Sequence, residues 1–120
     1  MRCAVATCFD AHFKPIRTAI IANRRKYCER HVYDFLCFEG RLDPSRTANW
    51  DKIVLLRKHL QDYEWILWID ADAFIMNLSV TLKSFMAPGV DLRIVSEPSP
   101  RTRLNTGVFL IRNSAWSTRL

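Results

Sequence analysis

Continuous apolar runs alternate along this chain with segments whose apolar residues recur at helical spacing. Residues 2–9 are apolar apart from Arg2 and Thr7 and stop at Asp10, which predicts a buried strand. Pro15 suits the first turn of a helix, and Ile16, Ile20, Asn23 and Tyr27 then give that helix one inward face. Residues 32–38 read as a second strand, closed by Gly40 and a polar loop holding Pro44. A second helix is expected over residues 46–63, with Ile53, Leu56 and Leu60 on its buried stripe. The run EWILWI (64–69) is apolar almost throughout, as a strand covered on both faces should be. Asn77 or Ser79 is placed to cap a short helix to Met86, stopped by Pro88 and Gly89. Strands follow at 92–96 and 106–112, and Asn113 or Ser114 caps a helix that has barely begun. Alternating strands and helices predict an α/β fold, a mainly parallel sheet flanked by helices, as one domain over residues 1–120. The expectation is a partial domain, truncated at its C-terminal side.

Composition narrows the partners. The chain is 49% hydrophobic and 25% charged, which is globular and not disordered. Its formal charge of +6 favours phosphate-bearing partners without choosing among them. Arg24, Arg25, Lys26 and Arg30 fall in the first helix and read as a solvated face. No aromatic residues interleave with exposed basic ones, so no nucleic-acid partner is expected. Cys3, Cys8, Cys28 and Cys37 lack Cys-x-x-Cys spacing and read as free, largely buried thiols. His12, His31 and His59 have no partner spacing. No stretch reaches the ~18–20 apolar residues of a membrane span, and no signal peptide is evident, so a soluble, cytoplasmic chain or a fragment is expected. An exposed half-sheet would invite association into a homo-oligomer.

Candidate chemistry concentrates at Asp70 and Asp72, delivered by the apolar strand in WILWIDADAFIMN. In extended chain, residues i and i+2 point to one side, so both carboxylates can face one site. Two carboxylates that close repel, and a divalent cation removes the conflict while both stay ionised. Oxygen ligands suit Mg²⁺ or Mn²⁺, which also bind substrate phosphates and offset the charge of a diphosphate leaving group. The competing reading is a turn capped by one aspartate, with the other merely solvated.

Four blocks then carry a resemblance: RTAIIANRRKYCERHVYDF, NWDKIVLLRKHL, YEWILWIDADAFIMN and LNTGVFLIRNSAWS. Together they resemble glycosyltransferase family 34, the galactosyl-, xylosyl- and mannosyltransferases with the nucleotide-sugar fold called GT-A. A looser likeness to the glycogenin-like family supports the same fold. The resemblance implies metal-dependent transfer of a hexose or pentose to a glycan acceptor, with the anomeric configuration retained. The donor would be a nucleotide diphosphate sugar such as UDP-Gal, UDP-Xyl or GDP-Man. It makes Asp70 and Asp72 ligands of Mn²⁺ and the donor diphosphate, and Lys52 of the Trp-x-Lys a neighbour of those phosphates. Thr7, Cys8 and Phe9 occupy the strand end where similar enzymes hold base and ribose. Asn105 is placed to bond a sugar hydroxyl, and Gly107 to permit close approach. Trp116 reads as core. Arg101 and Arg103, just before Asn105, are candidates for phosphate or acceptor.

Similar enzymes are usually bound to the Golgi membrane in eukaryotes. They continue well past this length, and their later half supplies a histidine metal ligand and much of the acceptor cleft. Two other readings stay open: a non-catalytic or degenerate nucleotide-sugar-binding domain, and a phosphohydrolase of the haloacid dehalogenase type, which also sets Asp-x-Asp after an apolar strand. The latter prefers its nucleophile on the first strand and Thr or Val where this chain has Phe74.

Overall fold

A computed structural model describes residues 1–98, 101 and 104–120. Among the described residues five strands form one sheet: β1 (Cys3–Phe9), β2 (Asp34–Glu39), β3 (Trp65–Ile69), β4 (Leu92–Ser96) and β5 (Leu104–Arg112), in the order β2-β1-β3-β5-β4. β1 pairs in parallel with β2 and β3, whereas β5 runs antiparallel to both β3 and β4. Four of the five strands therefore point one way with β5 inserted against them, and with two parallel and two antiparallel pairings the sheet is mixed.

Two helices cover the sheet, α1 (Arg17–His31) on one face and α2 (Asp51–His59) on the other. β1 shows why. Its alternate residues Cys3 and Val5 pack in one cluster with Tyr27 and Cys28 of α1. Ala4 and Ala6 pack in the other with Leu55 and Leu56 of α2. The strand is buried on both faces, which is what its unbroken apolar run signalled. Trp65 and Ile69 of β3 join the α1 side, Ile66 and Trp68 the α2 side.

The element boundaries differ from expectation for local reasons. The segment holding Pro15 is a 3-10 turn (Ala11–Ile16), introduced by Asp10, whose carboxylate accepts from the His12 amide at 3.0 Å. The second helix is three consecutive pieces, Ala48–Trp50, α2 and Leu60–Asp62. Its buried residues include Asp51 and Lys52, while Ile53 is 38% exposed.

Val32, expected in a strand, instead ends α1 in the left-handed region at φ 58°. The helix predicted up to Met86 shrinks to a 3-10 turn, Leu82–Phe85. The backbone there bonds to side chains from α1 and its exit. The Tyr27 hydroxyl donates to the Val80 carbonyl at 2.7 Å, the His31 ring meets the Leu78 carbonyl at 2.8 Å, and the Leu82 amide donates to the Tyr33 hydroxyl at 3.1 Å. Groups so satisfied have no need of a helix. Trp116 is 44% exposed and is not core. No helix among the described residues is long and apolar enough to cross a membrane.

Candidate active site

The carboxyl ends of β1 and β3 frame a cavity of about 140 Å³ bordered by Asp10, Arg41, Lys52, Trp68, Asp70 and Asp72, among others. In open α/β sheets this edge is where ligands gather.

β3 ends at Ile69, and the chain turns at once: the Ala73 amide donates to the Asp70 carbonyl at 3.0 Å. Asp70 and Asp72 thus sit on a turn, not on extended chain, and the turn is what brings both to the cavity. The Asp70 amide donates to the Gly107 carbonyl at 2.8 Å, tying the turn to β5. One carboxylate oxygen of Asp70, Oδ1, accepts from Lys52 Nζ at 3.0 Å and from Trp68 Nε1 at 2.6 Å. Its Oδ2 faces Gly107, where a Cβ would lie 3.3 Å away and also 2.9 Å from Asn105 Oδ1. Glycine is therefore what lets β5 close on this carboxylate. Asp72 is exposed and makes no hydrogen bond among the described residues.

Lys52 is buried beneath the site, 9% exposed, and is not a solvated lysine. Besides Asp70 it donates to the Thr106 carbonyl at 2.9 Å, and its ammonium lies 5.6 Å from the centre of the Trp68 ring.

The first-strand candidates separate. Cys8 and Phe9 border the cavity. The Phe9 ring packs with Ile20 and Ala71 as core. The Cys8 thiol, pushed up to about 11 chiefly by burial, stays protonated at neutral pH. Thr7 is corrected: it is completely buried, and its hydroxyl has no hydrogen-bond partner among the described residues, so it offers no surface to a donor. Asn105 is committed locally. Its Oδ1 accepts from the Gly107 amide at 2.8 Å, and its Nδ2 donates to Glu97. Arg101 is exposed, and Arg103 lies outside the described residues.

Reading the sequence missed two supports of the site. Arg24 is not on a solvated face. It is fully buried, and Nη2 donates to the carbonyls of Asp70 at 2.8 Å and Ala73 at 2.6 Å. The signal was present in the spacing Ile20, Arg24, Tyr27, which places the arginine on the apolar face. The second is Asp51, the first residue of α2. Its Oδ2 accepts from Arg41 Nε at 2.7 Å and its Oδ1 from the Asp43 amide at 2.9 Å, pinning the loop after β2 to the cavity rim.

Burial alone would raise the Asp51 carboxyl. The Arg41 guanidinium and the amides of Asp43 and Leu42 outweigh it and hold the group below its ordinary value. A folded value depressed below the unfolded one stabilises the native state above pH ~4 and loses that contribution as pH falls through the folded value. Asp51→Asn is therefore expected to cost about 2 kcal/mol at pH 7, the scale of a hydrogen bond to a buried charge. Urea unfolding at a series of pH values should show the gap between the two proteins narrowing below pH ~4. A gap independent of pH would contradict this account.

Asp70 and Asp72 would be the oxygen ligands of a hard cation held here, and the Lys52 ammonium, which donates to Asp70, would face a phosphate rather than the cation. Magnesium-like ions typically take one or two carboxylates and complete their shell with substrate phosphates and water. Among the described residues no three acidic, histidine or cysteine side chains cluster as a closed metal cage. With Asp70 and Asp72 as its ligands, a cation here would sit in an open, two-carboxylate site.

Residues 5–96 match the galactosyl transferase GMA12/MNN10 family. Among curated proteins, the chain is 33% identical over 110 residues to probable glycosyltransferase 7 of Oryza sativa subsp. indica, covering 83% of this chain and 24% of that protein. It is 32% identical over 104 residues to galactomannan galactosyltransferase 1 of Cyamopsis tetragonoloba, covering 79% and 24%. It is 34% identical over 99 residues to an alpha-1,2-galactosyltransferase of Schizosaccharomyces pombe, covering 77% and 23%. The chain thus spans about a quarter of the length of these relatives. A crystal structure of a glycosyltransferase involved in the glycosylation of the major capsid of PBCV-1 shares the fold. The TM-score is 0.69 at 21% identity, over 93% of this chain and 60% of that one.

Proposed function

The chain belongs to the galactosyl transferase GMA12/MNN10 family, and from that premise we propose that it forms the donor half of a metal-dependent glycosyltransferase. The donor is a nucleotide diphosphate sugar, the acceptor a glycan, and the anomeric configuration is retained, as the resemblance implies. The observation that carries this reading is the Asp70–Ala73 turn at the carboxyl edge of the sheet. It presents one carboxylate with no hydrogen bond among the described residues, Asp72, and one held from behind by Lys52 and Trp68.

When bound, Mn²⁺ or Mg²⁺ would supply Lewis-acid neutralisation of the diphosphate as the sugar leaves. The protein's own share is geometric and electrostatic. Lys52 fixes Asp70 Oδ1 and brings a positive charge to within reach of the leaving phosphates. Trp68 orients the same oxygen through its indole N–H. Gly107 leaves Oδ2 uncovered by any Cβ. The names of the Cyamopsis and Schizosaccharomyces relatives favour galactose as the transferred sugar. The phosphohydrolase alternative falls to the family match.

The test is thermal unfolding with and without Mn²⁺ and UDP or GDP. A ligand at 100-fold its Kd stabilises by about 2.7 kcal/mol. In a domain of this size that corresponds to an upward shift of roughly 10 °C. The shift should need metal and nucleotide together and vanish on chelation. Absence of any shift across uridine and guanosine diphosphates would remove the donor-site reading.

A further inference from the structure

The side of the Asp70–Ala73 turn away from the cavity is held by two consecutive residues of α1. Arg24 Nη2 bridges the Asp70 and Ala73 carbonyls, at 2.8 and 2.6 Å, so one nitrogen closes the turn across its own ends. Asn23 acts on the next stretch in the manner of a paired strand. Its Nδ2 donates to the Ile75 carbonyl and its Oδ1 accepts from the Ile75 amide, both at 2.9 Å. The Arg24 guanidinium also lies 5.2 Å from the centre of the Phe74 ring.

Arg24 has no solvent-exposed surface, and none of its hydrogen-bond acceptors among the described residues is a carboxylate. A guanidinium so placed is costly, and an apolar side chain of similar length would fill the same space against Ile20 and Tyr27 at lower cost. Burial lowers its pKa to about 10, which leaves it cationic at neutral pH. The two acids on the turn above it are those singled out for the metal. We propose that Arg24 is a positioning residue, a buried cation that locks the Asp70–Ala73 turn so that both carboxylates are presented to one ligand before it arrives. This rests on the metal–diphosphate reading for its purpose, but the lock itself is a property of the turn. Pre-ordering of this kind raises affinity by removing an ordering cost from the binding step.

The experiment pairs amide hydrogen exchange with titration of Mn²⁺–UDP on the full chain, for the wild type, Arg24→Met and Arg24→Lys. In Arg24→Met, the Ala73 and Ile75 amides should exchange more than ~10-fold faster while the β1 amides keep their protection. Binding of Mn²⁺–UDP should weaken by about tenfold or more. Arg24→Lys keeps a cation that can reach one of the two carbonyls, so it should restore most of the Ala73 protection and part of the affinity.

Unchanged protection at Ala73 in Arg24→Met would overturn the proposal. So would lost protection with unchanged affinity, because the lock would then not serve the ligand. Loss of β1 protection in both variants would make Arg24 a general core residue, and the proposal would also fall. If the wild type binds no Mn²⁺–UDP, the metal–diphosphate reading fails by itself, and the exchange pattern still decides whether Arg24 locks the turn.

Discussion

Asp72→Asn is expected to abolish the metal-dependent thermal shift and leave the melting temperature of the free protein unchanged. Asp70→Asn is expected to abolish the shift and lower the melting temperature as well. The difference follows from their partners. Asp72 is exposed and without a hydrogen bond among the described residues, so its neutralisation falls within the ~0.5 kcal/mol typical of surface changes. Asp70 Oδ1 accepts from both Lys52 and Trp68. An asparagine there either turns its amide toward an ammonium or gives up the charge that balances a buried lysine.

Since the Asp70 side chain keeps 36% of its exposure, the cost is set near 1–2 kcal/mol rather than at the level of a fully buried pair. Each substitution removes one anionic oxygen ligand from a site that has two, and a hard cation depends on ligand charge. Differential scanning fluorimetry with Mn²⁺ and UDP separates the two effects in one experiment. Full retention of the shift in Asp72→Asn would remove that residue from the ligand set and leave Asp70 alone, too little for a metal site.

How legible this was in the sequence depends on which physics set each feature. Strands β1 and β3 were legible because burial on both faces leaves continuous apolar runs, CAVATCF and WILWI. The acidic pair could be located at the end of an apolar strand but its conformation could not be read: spacing alone could not show that β3 stops at Ile69 and turns. Val32 was misread because a β-branched residue prefers a strand, and the chain uses it instead at a left-handed helix end, where glycine is the usual choice. The stretch up to Met86 was misread because its backbone partners, Tyr27, His31 and Tyr33, lie some fifty residues away in sequence. Arg24 was misread for a related reason. Charge argued for solvent, position argued for the core, and only the carbonyls of a distant turn decide between them. Thr7 was named from the resemblance, which places base and ribose at this strand end, yet β1 remains covered there.

Lys52→Met is expected to move the affinities for metal and for nucleotide in opposite directions. Lys52 Nζ lies 3.0 Å from Asp70 Oδ1, so in the free protein it neutralises the carboxylate that a cation would need. For bare Mn²⁺ the ammonium is a competitor and a like charge, and its removal should tighten metal binding severalfold. For the nucleotide it is an ally. A diphosphate bridged to the same carboxylate through the metal meets a buried ammonium that is poorly screened by solvent. Loss of that charge should weaken UDP binding, at saturating Mn²⁺, by about tenfold or more, equivalent to roughly 1.4 kcal/mol. Stability should also fall, by ~1–3 kcal/mol, because the Thr106 carbonyl loses its lysine donor and Asp70 keeps only Trp68. Methionine is the suitable replacement, since it fills the lysine stem's volume beside Trp68 without restoring a charge. Calorimetric titration of Mn²⁺ alone, then of UDP at fixed Mn²⁺, reads both signs. A purely structural lysine would weaken the two together through a loosened site. Opposite shifts are what a charge poised between carboxylate and phosphate would produce.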